Sequence, residues 1–140
     1  RKFLVRPEVF IPRPETELLL EVALDLLRLR SEGSLLAVDV GTGSGCIAVT
    51  LACEESRVKV VAIDKSPGAL RVAQCNADAH QCQNRVDFYE GTGLQPVKSH
   101  RQRYHVIISN PPFSNVQPPL FLAVDLILTV DFRQTSRNLI

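Results

Sequence analysis

The chain has 140 residues, 45% of them hydrophobic and 22% charged, with a formal net charge of +1. That is one domain's worth of chain with an ordinary core, and near-neutrality excludes a general basic field that would bind nucleic acid by neutralising phosphates. The longest apolar run, Leu120 to Val130, is broken by Asp125 and is about half of what a membrane span needs, so no membrane association is expected.

Four cysteines, Cys46, Cys53, Cys75 and Cys82, form no C-x-x-C pair. Buried or half-buried free thiols are expected, rather than a disulfide or a metal site, in a chain that works inside the cell, in the cytoplasm or the mitochondrial matrix. No signal or transit peptide is visible, and the chain opens on Arg1 rather than Met.

In chain order, Pro12 and Pro14 keep the leading segment extended, and Pro14 then suits the first turn of a helix. Leu18, Leu19, Val22, Ala23, Leu26 and Leu27 recur at helical spacing, which predicts a helix over 15–30, ended by Ser31-Glu32-Gly33-Ser34. The apolar run from Leu35 to Val38 reads as a strand. It leads through Asp39-Val40-Gly41-Thr42-Gly43-Ser44-Gly45 into a helix from Cys46 to Ala52, the first half of a βαβ unit. A second strand spans Val58 to Asp64, and Ser66 and Pro67 start a helix that runs to about His80. Val86 to Tyr89 and Tyr104 to Ser109 complete four strands, and alternation at this spacing predicts a parallel, doubly wound α/β sheet with helices on both faces.

Three stretches carry chemistry. A glycine turn lets the chain bend sharply at a strand end and lets a ligand lie against its backbone; the dinucleotide fingerprint is disfavoured because its last glycine would stand at Cys46. Asp64 ends the second strand nineteen residues after Gly45, where an acid accepts from ribose hydroxyls, although it also suits the start of the next helix. Ser109-Asn110-Pro111-Pro112-Phe113 emerges where the fourth strand must end. There an Asn carbonyl and the carbonyl of Pro111 can both accept from one NH2 group while Phe113 stacks on a flat amide or base.

Together Ile11-Pro12-Arg13-Pro14-Glu15-Thr16-Glu17, the turn from Asp39 to Gly45, Asp64 and Ser109 to Phe113 resemble the HemK/PrmC type of class I S-adenosylmethionine-dependent methyltransferase, which methylates a glutamine side-chain amide in peptide-chain release factors. The resemblance covers about residues 3–113. It implies a Rossmann-like sheet of that class, here of four to five strands. It also implies three regions: residues 1–34 as leading segment and first helix, 35–113 as S-adenosylmethionine-binding core, and 114–140 as a divergent tail.

By the same resemblance Gly41, Thr42, Gly43, Ser44 and Gly45 hold the methionine end of the cofactor and Asp64 its ribose, with Asp39 and Asn110 also counted among the cofactor-binding residues. Asn110, Pro111, Pro112 and Phe113 hold the target amide, with Asn110, Pro111 and Phe113 as the catalytic group. Phe113 stands where the family usually has tyrosine. Thr92 and Gly93 stand where the family carries an acid for the adenine amino group and a bulky neighbour, so weaker adenine binding is expected. The implied partner is a release factor, with no metal. A nucleic-acid amino methyltransferase uses the same Asn-Pro-Pro-aromatic turn and is the runner-up; a catalytically impaired truncated or alternatively spliced piece is the third reading.

Overall fold

In the computed structural model, which describes residues 1–7, 9, 11, 14–100 and 102–110, helices and strands alternate. They are α1 (Pro14–Arg28), β1 (Leu35–Val40), α2 (Cys46–Glu54), β2 (Val58–Asp64), α3 (Pro67–Ala79), β3 (Val86–Glu90) and β4 (Val106–Ser109), with 3-10 turns at Gln83–Arg85 and Gln95–Val97. Local chemistry starts α3 as expected: the Ser66 hydroxyl accepts from the Ala69 N–H at 3.2 Å, and Pro67 occupies the first turn.

All strand pairs are parallel, in the order β3-β2-β1-β4. From β1 to β2 to β3 the chain steps one way across the sheet, so right-handed crossovers place α2 and α3 on the same face. From β3 it must step back past β2 and β1 to reach β4, and the same handedness carries that connection over the opposite face. The buried side chains agree. Leu19, Ala23, Leu24 and Leu27 of α1, Ile47 and Leu51 of α2 and Ala77 of α3 share one cluster with Leu35, Ala37, Val58, Val60, Val106 and Ile108. On the other face Val38, Val61, Ile63 and Ile107 pack under Leu94, Val97 and Tyr104 of the β3–β4 connection.

The parallel, doubly wound sheet is as expected, and the described residues cover it on each face. All three of their helices cover one face, and the second is covered by a connection with a single 3-10 turn. Since α1 is covered on one side only, Leu18 and Val22, counted into its apolar face by spacing, lie on its exposed side. Three cysteines are buried or half-buried thiols, but Cys75 is exposed, on the outer side of α3. Burial pushes the thiols of Cys46 and Cys82 up to about 11, which makes them poor nucleophiles. The run from Leu120 to Val130 lies outside the described residues, among which no helix is long and apolar enough to cross a membrane.

The amino-terminal edge of the sheet is closed by polar contacts. Arg57 pairs with both carboxylate oxygens of Glu55, at 3.0 and 2.8 Å, and donates to the carbonyls of Arg30 and Glu32, tying the α1–β1 loop to the α2–β2 loop. His105 extends the β1–β4 ladder by one rung: its N–H donates to the Leu36 carbonyl at 2.7 Å, and its Nδ1 accepts from the Leu36 N–H at 2.9 Å.

That second bond requires an unprotonated Nδ1. Burial lowers the pKa of His105, against the pull of Glu32 and with the help of Arg103 and Arg30. A depressed histidine contributes stability above its ordinary pKa of 6.5 and loses it as pH falls below that value. The stability advantage of the wild type over His105→Asn in urea unfolding should therefore shrink between about pH 7.5 and about pH 5.5. A pH-independent difference would show that His105 does not carry this titration.

Candidate active site

The carboxyl ends of the four strands bring the expected residues into one row, in the order of the strands. Val40 stands opposite Ser109, so Gly41 and Asn110 leave the sheet side by side. On the other flank of β1, the N–H groups of Gly41 and Thr42 donate to the carbonyl of Ile63 at 2.8 and 3.0 Å, which lays the glycine turn against the end of β2. The Gly91 N–H donates to the Asp64 carbonyl at 3.0 Å and draws the turn holding Thr92 and Gly93, both exposed, beside Asp64. With strands about 4.8 Å apart, the row from Thr92 through Asp64 and residues 41–45 to Asn110 is about 14 Å long. It lies where the crossover direction reverses between β1 and β4, the position at which open α/β sheets bind ligands.

The glycines of the turn do two different jobs. Gly41 and Gly43 have φ of +75° and +55°; a Cβ would meet nothing within 4 Å at Gly41, and at Gly43 only the Gly41 carbonyl oxygen at 4.0 Å. Their backbone faces open space, where a ligand can lie against it. Gly45, with φ of +78°, faces inward, and a Cβ there would stand 2.9 Å from the Cβ of Ala73 on α3. It is the point where the turn packs on the neighbouring helix.

Side chains pin the turn from below. The Asp39 carboxylate is 1% exposed, accepts the Thr42 hydroxyl at 2.6 Å and is also held by the backbone of Ala48 in the first turn of α2, a helix whose own N-cap, Gly45, has no side chain. Burial outweighs those bonds and raises its pKa to about 6, with the nearby charge of Asp64 adding to the shift. Asp64 serves the start of α3, as one of its two sequence readings has it. One oxygen accepts the Ser66 N–H at 2.9 Å at the start of α3 and the other the Gly43 N–H at 2.9 Å, and each keeps a further lone pair for a ligand hydroxyl.

Two residues that the sequence reading did not single out complete the site. Asn76 of α3, 2% exposed, donates to the carbonyls of Ser44 at 2.8 Å and Leu4 at 2.9 Å and accepts from the Leu4 N–H at 2.7 Å, joining the glycine turn to the leading segment. Thr16, in the first turn of α1, accepts from the Asn110 side-chain NH2 at 2.7 Å. Each is a lone polar residue on the buried face of its helix, a signal that spacing offers but that names no partner. Pro111, Pro112 and Phe113, expected beside Asn110, lie outside the described residues, as do Pro12 and Arg13 of the matching leading motif. No group of three His, Cys, Asp or Glu among the described residues has the arrangement of a metal site.

Comparison with known proteins bears on what this row does. Residues 14–130 match the family described as methyltransferase small domain. A release factor glutamine methyltransferase of Koribacter versatilis is 50% identical over 113 residues, 81% of this chain and 39% of the relative. One of Bacillus subtilis is 47% identical over 118 residues, again 81% and 39%. The chain thus spans well under half the length of these relatives. Among solved structures, a SAM-dependent methyltransferase of Geobacter sulfurreducens in complex with S-adenosyl-L-homocysteine superposes with a TM-score of 0.53 at 26% identity, over 69% of this chain and 36% of that one.

Two outcomes test how the turn is built. An acid whose folded pKa is raised contributes stability below its ordinary pKa of 3.8 and loses it as pH rises through about 6. The wild type should therefore lose on the order of 3 kcal/mol relative to Asp39→Asn between about pH 4 and about pH 7, measured by urea unfolding, and a constant difference would place the carboxylate in a better-solvated setting. Gly45→Ala combines left-handed strain with overlap on Ala73 and should cost about 2–4 kcal/mol, against about 1–2 for Gly43→Ala, which meets no such neighbour. Equal losses would mean that the two glycines do not divide the work.

Proposed function

The chain belongs to the methyltransferase small domain family, and from that premise we propose that it is the S-adenosylmethionine-binding and catalytic core of an enzyme that methylates a glutamine side-chain amide in a peptide-chain release factor. The order of residues along the carboxyl edge carries this reading. Thr92 and Gly93, Asp64, residues 41–45 and Asn110 follow one another as adenine, ribose, methionine and target amide would along one extended cofactor and its acceptor. The names of the relatives from Koribacter versatilis and Bacillus subtilis support the acceptor.

The residues present fit this cofactor. Gly41 and Gly43 turn open backbone toward the site, and Asp64 keeps lone pairs for ribose hydroxyls beyond its two backbone bonds. Thr92 and Gly93 offer a hydroxyl and bare backbone for the base, so affinity is expected to rest on the ribose and methionine ends. When bound, S-adenosylmethionine supplies an electrophilic methyl group on its sulfonium sulfur.

The chain's own contribution is then proximity and orientation. The Asn110 carbonyl, with that of Pro111, accepts the N–H groups of the target amide and aims its nitrogen at the methyl-donor side of the glycine turn. Accepting those N–H bonds also polarises an otherwise poor nucleophile. Phe113 supplies a π face against the flat amide. The acceptor is a protein, so the reading places the enzyme where release factors work.

Calorimetry with S-adenosylmethionine and transfer of labelled methyl to a release-factor fragment test the proposal on the full chain. Asn110→Ala should lower kcat by about a hundredfold or more while cofactor affinity stays within about threefold. Retained turnover in that variant, or transfer to DNA or RNA oligonucleotides in place of the protein fragment, would overturn it. Absence of any cofactor heat would favour the impaired-piece reading instead.

A further inference from the structure

The residue that holds Asn110 stands ninety-four positions away, in the first turn of α1. Thr16 is 6% exposed on a helix face otherwise built from Leu19, Ala23, Leu24 and Leu27. A buried hydroxyl among leucines and alanines costs stability unless it is bonded, and its bond is to the Asn110 NH2 at 2.7 Å. Thr16 thus links the motif from Ile11 to Glu17 to Asn110 at the end of β4.

An asparagine amide has two unlike ends, one donating and one accepting, and rotation of its plane exchanges them. A target nitrogen arriving with N–H groups can be held only by the accepting end. In the opposite orientation the Asn110 NH2 would face the target NH2, donor against donor. In the useful orientation the Asn110 NH2 points back toward α1, where it needs an acceptor of its own or stays unsatisfied beside a buried helix face.

Building on the methyl-transfer reading above, we propose that Thr16 is a positioning residue for catalysis: its hydroxyl accepts the Asn110 NH2 and so leaves the Asn110 carbonyl oxygen to receive the N–H of the target nitrogen. The bond also polarises the amide, because donation at its nitrogen draws electron density toward its oxygen and makes that oxygen the better acceptor. No proton moves through Thr16 and no bond to it forms or breaks.

The test uses the full chain with Thr16→Val, which keeps the shape and removes the hydroxyl, Thr16→Ala as a second deletion, and Thr16→Ser, which restores the hydroxyl. Methyl transfer to a glutamine-bearing release-factor fragment should fall about tenfold in kcat for Val and Ala and recover to within about threefold for Ser. Affinity for S-adenosylmethionine should stay within about twofold in all three. The side-chain amide resonances of Asn110 in a nitrogen-15 correlation spectrum read the bond without turnover: Val and Ala should shift them and Ser should not.

Unchanged kcat in Thr16→Val, or Asn110 amide resonances that Val and Ala leave in place, would overturn the proposal. So would a loss of activity that tracks lost cofactor affinity or melting temperature and that Ser does not restore, since that is the signature of a purely structural residue. A wild type that binds S-adenosylmethionine but transfers nothing to glutamine fails at the premise instead and overturns the methyl-transfer reading, whatever the resonances show of the bond.

Discussion

Because β4 pairs with β1 in parallel, with Val40 opposite Ser109, the chain leaves the sheet at Gly41 and at Asn110 from adjacent strand ends. Those positions are sixty-nine residues apart in sequence, and no local preference could bring them together. The pairing is possible because β1 and β2 are apolar on both faces and must be covered on both. Reversal of the crossover direction then opens a crevice at the β1–β4 boundary. Asp64 falls on the far side of β1 for the same reason, since β2 is its other neighbour.

The turn that starts in this crevice is held by two buried polar side chains and one half-buried one. Asp39 lies beneath it and serves the uncapped start of α2; Asn76 holds it from α3; Asp64 links it to the start of α3. Among the described residues no buried side-chain polar atom lacks a partner. A satisfied network of this kind fixes one geometry, because any other leaves a donor or acceptor unpaired at a cost of about 1–3 kcal/mol. The raised pKa of Asp39 shows that part of the arrangement is unfavourable, and the bonds from Thr42 and Ala48 offset it only in part.

Legibility in the sequence followed the range of the signal. Strands β1, β2 and β3, the glycine turn and the cap and proline that start α3 rest on neighbours within a few positions, and they stand where spacing put them. The strand order follows from handedness once the elements are known. What escaped was long-range. Thr16 reaches Asn110, Asn76 reaches Leu4 and Ser44, and His105 reaches Leu36, across separations of 94, 72, 32 and 69 residues. A polar residue on an apolar helix face announces that it has a partner, but only the fold says which. Among the described residues the second face is covered by the β3–β4 connection and its 3-10 turn. Crossover handedness specifies the side on which a connection lies, and does not require that connection to form a helix.

At Asp64 a structural role leaves room for a ligand, since its two backbone bonds do not use up the carboxylate's lone pairs. Its two bonds to Ser66 and Gly43 fix the carboxylate at the end of β2, with the side chain only half-buried. A carboxylate that took no part in the helix start would retain rotamer freedom, and a ligand hydroxyl would have to order it on binding at a cost of about 0.5–1.5 kcal/mol. The same holds for Asn110, whose NH2 is engaged by Thr16 within the fold itself. Structural bonds on one side of each polar group therefore leave the other side oriented in advance. Gly41 and Gly43 complement them by keeping the space above the turn open. The base of the site is ordered by folding, so little is left for a ligand to arrange beyond its own position.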